Sequence, residues 1–183
     1  MMAARMPSPI GHALAGLTVG WLLEPQPVPR AVTPLRAALS PLALGCAAVA
    51  ALPDADLLIP HFHRTATHSV TATGLVLILA IAVTGWVTGR QAWRWVVALG
   101  LAHSTHLLLD WLGVDRNPPA GLQMFWPFDP AFYISGWDIF PPVARGQVSS
   151  RMLAINAVAA IWELALMGPV AGLAWLIRRR RQA

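Results

Sequence analysis

Residues 69–89 read SVTATGLVLILAIAVTGWVTG and carry no charged side chain. A helix of about 20 apolar residues crosses the hydrocarbon core of a bilayer, so this stretch predicts a transmembrane helix. Its neighbours repeat the pattern with informative exceptions. Residues 95–112 are apolar apart from His103, His106 and Asp110, and residues 153–177 apart from Glu163. Residues 37–52 are uncharged but slightly short. Residues 10–23 are shorter still, which leaves that segment tilted, extended by its flanks, or re-entrant. The expected fold is an all-α integral membrane bundle of four to five transmembrane helices. It forms one membrane-embedded domain over residues 1–183, with an ordered outer loop at 113–152.

Composition agrees. Hydrophobic residues make up 56% of the chain and charged residues 11%, against roughly 25% charged in a soluble domain. The single cysteine, Cys46, lies in an apolar run, so neither an internal disulfide nor a thiolate metal site is available. Residues 10–23 have the length of a signal-peptide core. They follow Pro7-Ser8-Pro9, contain His12 and lack a convincing cleavage site, so they are expected to stay in the mature protein. The block Arg178-Arg179-Arg180-Arg181 directly after an apolar stretch reads as a cytoplasmic anchor rather than a nucleic-acid contact. No nucleic-acid partner is expected.

The basic residues also suggest an orientation, because arginines near membrane ends favour the cytoplasm. With the C-terminus inside and five crossings, Arg30, Arg36, Arg90, Arg94 and the terminal block fall inside, against Glu24. The loops 53–68 and 113–152 then lie outside with the N-terminus. Trp126-Pro127-Phe128, Trp137 and Pro141-Pro142 in the long loop suit an ordered cap at headgroup depth. This sorting puts His12, Asp54, Asp56, His63, His68, His106 and Asp110 on the outer side.

Those residues carry the chemistry. His106 and Asp110 stand one helical turn apart and share a face, with His103 on the same stripe. Imidazole and carboxylate are good ligands for zinc and similar metals, and ionisable groups inside a membrane segment are functional candidates. The competing reading is a buried His–Asp hydrogen bond that locks two helices. Asp54 and Asp56 could hold a cation or simply end a helix. His63-Arg64-Thr65-Ala66-Thr67-His68-Ser69 gathers imidazoles, a guanidinium and hydroxyls just before the uncharged helix. Thr67 or Ser69 could cap that helix, and Arg64 could pair with phosphate or carboxylate. His61 fits no pattern. His12 gains weight only from sharing a side with the rest. Cys46, Glu163 and the tryptophans read as structural.

These motifs, in this order and spacing, resemble the YdjM-like inner-membrane proteins, a family described as membrane-bound metal-dependent hydrolases. The resemblance rests on Gly11-His12, Leu52-Pro53-Asp54-Ala55-Asp56, His63-Arg64-Thr65, Thr67-His68-Ser69, His106-Leu107-Leu108-Leu109-Asp110 and Trp126-Pro127-Phe128, spanning about residues 8–130. Thr65 stands where the family often has glycine, and His103 is additional. The pattern is also distantly similar to zinc-dependent phospholipase C and P1-type nucleases.

The resemblance implies a metal-dependent hydrolase of the bacterial inner membrane. A divalent ion, zinc for preference, would be held by His12, Asp54, His68, His106 and Asp110. Asp56 or His63 would serve as a further ligand or general base, and Arg64 would hold an anionic group. The expected substrate is a phosphoester or lipid-linked molecule at the outer face. The alternative is a non-enzymatic membrane protein that binds or moves a metal ion or proton.

Overall fold

The computed structural model describes residues 7–24, 33–59, 63–88 and 92–181. Expectations resting on Arg30, His61 and Arg90 lie outside these residues. Among the described residues the chain is all-helical, with no β-strand. In order come α1 (Pro9–Leu23), α2 (Pro34–Ala38), α3 (Pro41–Ala51), α4 (Val70–Thr88), α5 (Trp93–Leu112) and α6 (Ser150–Arg180). Two 3-10 segments, Leu52–Leu58 and Ala66–His68, fill the connection between α3 and α4.

Among the described residues, three stretches are long and apolar enough to cross a membrane on their own: Pro41–Leu58, Val70–Val87 and Ser150–Arg180. α1 is apolar but only 15 residues long. α5 has 20 residues but is made more polar by His103, Ser104, Thr105, His106 and Asp110. The expected segment 37–52 is divided: Pro34 opens the short α2, and Pro41 opens α3 after the Ser40 cap. Proline suits the first helical turn because its missing N–H would be unpaired there. Likewise, α6 begins at Ser150, earlier than residue 153, because the Ser149 side chain accepts the Met152 N–H.

The short α1 is the hub, packed against α3, α5 and α6. Its approach to α3 is too close for side chains larger than hydrogen. A Cβ on Gly16 would stand 2.4 Å from the Cys46 carbonyl oxygen, and one on Gly20 would stand 2.5 Å from Ala43 Cα. Small residues four apart let membrane helices approach in this way. The first segment is therefore an interior helix, which explains how so short an element is retained. Around it, Leu42, Cys46, Ala50, Ala98 and Ala102 form a buried apolar cluster between α3 and α5.

α6 shows the opposite design. Its buried residues Ala159, Glu163, Ala171, Ala174 and Arg178 repeat at helical spacing along one face. Ile161, Trp162, Leu164, Leu166, Val170, Leu173 and Leu176 on the other faces are exposed, an arrangement suited to lipid rather than water.

Residues 113–149 form the cap over one end of the bundle. The Val114 N–H donates to the Phe140 carbonyl, the Ile139 N–H to the Leu112 carbonyl, and the Ser135 N–H to the Trp111 carbonyl. Leu122 pairs with Tyr133, and Leu122 packs with Leu107, Trp111 and Met124. The cap is stitched to the segment before α4: the Gln123 N–H donates to the Arg64 carbonyl and the Val70 N–H to the Met124 carbonyl.

Candidate metal centre

The site is assembled at the end of the bundle where α1 starts, α3 and α5 finish, and α4 starts. His12 lies in the first turn of α1, Asp54 and Asp56 in the 3-10 extension of α3, and His106 and Asp110 in the last turns of α5. His68 ends the 3-10 turn before α4. Ser69 then caps α4, its hydroxyl accepting the Ala72 N–H. Thr67, the other candidate cap, instead donates its hydroxyl to Asp56 Oδ2.

Asp110 is the centre of the arrangement. His12 Nε2 lies 3.2 Å from its Oδ1, His106 Nε2 lies 3.2 Å from its Oδ2, and His68 Nε2 lies 3.4 Å from the same Oδ2. His68 Nε2 is also 3.8 Å from Asp54 Oδ1. The His12 and His106 rings stack with centroids 3.9 Å apart. By ligand-atom distance alone, two groups among the described residues could each hold a metal ion: His12, His106 and Asp110, and Asp54, His63 and His68.

Hydrogen bonding refines this grouping. His106 Nδ1 is 2.7 Å from the Ala50 carbonyl, so its N–H donates there and Nε2 is left bearing a lone pair towards Asp110. His68 Nδ1 lies 3.2 Å from Asp56 Oδ2, turning its own Nε2 to Asp54 and Asp110. His63 Nδ1 is 2.7 Å from Asp56 Oδ1, while its Nε2 meets Arg145 Nη1 at 3.4 Å. Asp56 thus orients two imidazoles, and both nitrogens of His63 are occupied. Burial works against a charged His68, but the neighbouring carboxylates of Asp54, Asp56 and Asp110 outweigh it. Its pKa is pushed up to about 9.

Buried side-chain atoms with no hydrogen-bond partner concentrate here. They are both nitrogens of His12, Asp54 Oδ2, His68 Nε2, His106 Nε2 and both oxygens of Asp110. An unpaired buried polar atom costs about 1–3 kcal/mol, and a buried charge more. Nitrogen and carboxylate oxygen converging in this unsatisfied state fit a cation, which would take up those lone pairs together.

Other sequence candidates take different places. Arg64, expected to hold an anion, is buried, adopts φ 68° and donates from Nη1 to Asp115 Oδ2. Asp115 also accepts the N–H groups of Gly121 and Asn117, so the Arg64–Asp115 pair ties the cap to the metal-side loop. His103 leaves the stripe to pair with Thr73 of α4, Nδ1 to Oγ1 at 2.8 Å.

Glu163, read from the sequence as structural, has polar partners in the bundle. It accepts the Ser8 N–H at 2.6 Å, the Ser8 hydroxyl and the Gly11 N–H at 3.0 Å. It therefore belongs to the end of the bundle that holds the histidines, not to the opposite half. At that opposite end Arg178 is buried and donates to Glu24 at 3.4 Å, and Glu24 accepts from the Ser40 hydroxyl. The terminal arginines are consequently not one solvated block. Asp115, Arg145 and the Glu163 clamp carry no local motif, and only their contacts across the fold reveal them.

A family model described as YdjM inner membrane protein matches residues 6–182, so the match includes α6, which the motif resemblance does not reach. No curated protein and no solved structure matches. The match runs over almost the whole chain and gives one conclusion: the chain belongs to the YdjM inner membrane protein family.

Proposed function

We propose that the protein is a membrane-embedded, metal-dependent hydrolase acting on a phosphoester or lipid-linked substrate at the outer face of the membrane. One observation carries the reading. His12, Asp54, His68, His106 and Asp110 converge from separate stretches of chain, and each contributes a buried polar atom without a hydrogen-bond partner. Imidazole nitrogen with carboxylate oxygen is a donor set suited to zinc. A bound divalent ion would supply Lewis-acid activation of water, bringing its pKa to about 7.

The chain's own residues would prepare the site. The Ala50 carbonyl and Asp56 hold the His106 and His68 rings with Nε2 directed inward; such outer partners fix a ligand's tautomer. Asp56 is then a positioning residue. His63, with 9% side-chain exposure, stands at the rim, and its Nε2, once Arg145 turns from it to the substrate, is the group placed to take a proton from the attacking water. Arg64 contributes by holding the cap through Asp115.

In the membrane, α1, α3, α4, α5 and α6 would make five crossings, the whole chain acting as one domain. Cytoplasmic Arg36, Arg94 and Arg178–Arg181 would place the C-terminus inside and the metal centre outside. The apolar cluster of Leu42, Cys46, Ala98 and Ala102 supports a one-sided site rather than a polar path through the bundle.

The test is to purify the protein in detergent, measure bound metal, and assay bis(p-nitrophenyl) phosphate and short-chain phospholipids alongside His68→Ala. Bound metal that falls with hydrolysis in the variant is expected. Metal content indifferent to the change would refute the ligand set. Bound metal without cleavage of any ester would refute the hydrolase reading.

A further inference from the structure

The ligand cluster is nearly closed. Side chains of His12, His68, His106 and Asp110 are 0–1% exposed, whereas Asp54 and His63 keep 8% and 9%. An approaching molecule therefore meets His63 and Asp54 first. Immediately beyond His63 stands Arg145, its Nη1 3.4 Å from His63 Nε2.

Arg145 also lines a cleft of about 690 Å³ between the end of the cap and the first turns of α6. Arg151, Gln147 and Ser149 add polar groups, and Met152 and Ile155 add apolar surface. Among the described residues the lining includes two guanidinium groups and no carboxylate. Such a lining attracts anions, since a guanidinium matches phosphate oxygens in a bidentate fork. The volume lies in the range of small-molecule sites and leaves room for more than a bare phosphate.

Arg145 is held in place. The Asn156 side chain of α6 accepts the Ala144 N–H at 2.7 Å and donates to the Ala144 carbonyl at 3.0 Å. Gly146, at φ 129°, then turns the chain towards α6, a conformation that L side chains rarely adopt. The backbone on both sides of Arg145 is thus defined. Among the described residues, His63 is its hydrogen-bonding partner.

We propose that this cleft binds the phosphate group of the substrate, with Arg145 as the contact that brings it beside His63 and Arg151 as a second positive wall. Met152 and Ile155 would receive the adjoining apolar portion. The role in substrate binding rests on the hydrolase reading above, whereas anion binding as such does not.

The test titrates zinc-loaded full-length protein in detergent with inorganic phosphate by calorimetry, then repeats the titration after chelation. The variants are Arg145→Gln, Arg145→Lys and Arg151→Gln. Arg116→Gln serves as control, because Arg116 is an exposed cap arginine paired with Asp138. Arg145→Gln should weaken phosphate binding roughly tenfold or more, with and without metal and at unchanged zinc content. Arg151→Gln should weaken it less, Arg145→Lys should retain most of it, and the control should match wild type. Equal phosphate affinity in wild type and both glutamine variants would overturn the proposal. Loss of affinity in Arg145→Gln in a chain that binds no zinc would keep the anion site and refute the hydrolase reading instead. Stronger competition by dihexanoyl phosphatidic acid than by phosphate would support a lipid headgroup as the source. Equal competition would support a soluble phosphate.

Discussion

Glu163 and Asp110 are both fully buried carboxylates set against the first turns of α1, and the fold treats them in opposite ways. Glu163 accepts from the Ser8 N–H, the Ser8 hydroxyl and the Gly11 N–H. Its charge also sits at a helix N-terminus, where the peptide dipoles favour it. One residue further along, His12 faces Asp110, neither oxygen of which has a hydrogen-bond partner. The first carboxylate is a finished joint between α6 and α1. The second lacks such donors and relies on positive charge beside it, from protonated His68 in the metal-free protein or from a bound cation. Burial alone therefore does not mark a functional acid; the balance of donors around it does.

This difference predicts a graded series of effects. The largest belongs to Asp110. Structural zinc sites bind with about 10–16 kcal/mol in total, so Asp110→Asn should weaken zinc binding by about 3 kcal/mol or more in a competition titration. The metal-free protein should unfold at much the same temperature as wild type, because a buried charge has been removed. A large loss of metal-free stability would recast Asp110 as a structural residue.

Glu163→Ala should do the reverse. It removes the acceptor of the Ser8 N–H and one of the two acceptors of the Gly11 N–H, and should cost about 2–3 kcal/mol of stability, while zinc still binds at saturation. Thermal unfolding in detergent with parallel metal analysis reads both quantities. If this variant lost zinc as completely as Asp110→Asn while remaining folded, the two carboxylates would not differ as described.

Asp56→Asn should fall between them in kind. The ligands remain, but the acceptor that orients His68 is weakened, and such outer-partner changes lower metal affinity about 10–100-fold. Unchanged affinity would show that His68 needs no such support.

The smallest effect is a pH dependence of the metal-free protein. The folded His68 pKa of about 9 exceeds its ordinary value of 6.5, so protonation of His68 stabilises the fold. That contribution is fully present below about pH 6.5 and is lost as pH rises through about 9. The Tm of metal-free protein should decline across this window, and the zinc-loaded form should show no such decline, since a ligating imidazole carries no proton on the coordinating nitrogen. A flat metal-free Tm would contradict the carboxylate environment of His68.

The membrane character was legible in residues 69–89 and 153–177 because hydropathy is additive along a segment. α1 was harder. Its length argued against a crossing, and only the packing of Gly16 and Gly20 on α3 shows why a short helix can be central. The gathering of His12, Asp54, His68, His106 and Asp110 was legible because intramembrane polar residues are too costly to be incidental. Their division of labour was not legible. Asp56 and His63 share the ligand chemistry of their neighbours and differ only in which nitrogen or oxygen is already occupied. Arg64 looked like an anion clamp because its partner, Asp115, lies far away in sequence. Glu163 and Arg145 are isolated in sequence, and their partners are set by the packing of α6 alone.

The most direct measurement is elemental analysis of wild type, Asp110→Asn and Glu163→Gln, each purified without chelator and confirmed folded. The expected result is a bound divalent ion in wild type and Glu163→Gln that is lost in Asp110→Asn. Metal absent from wild type after zinc reconstitution, or retained fully in Asp110→Asn, would contradict the metal centre.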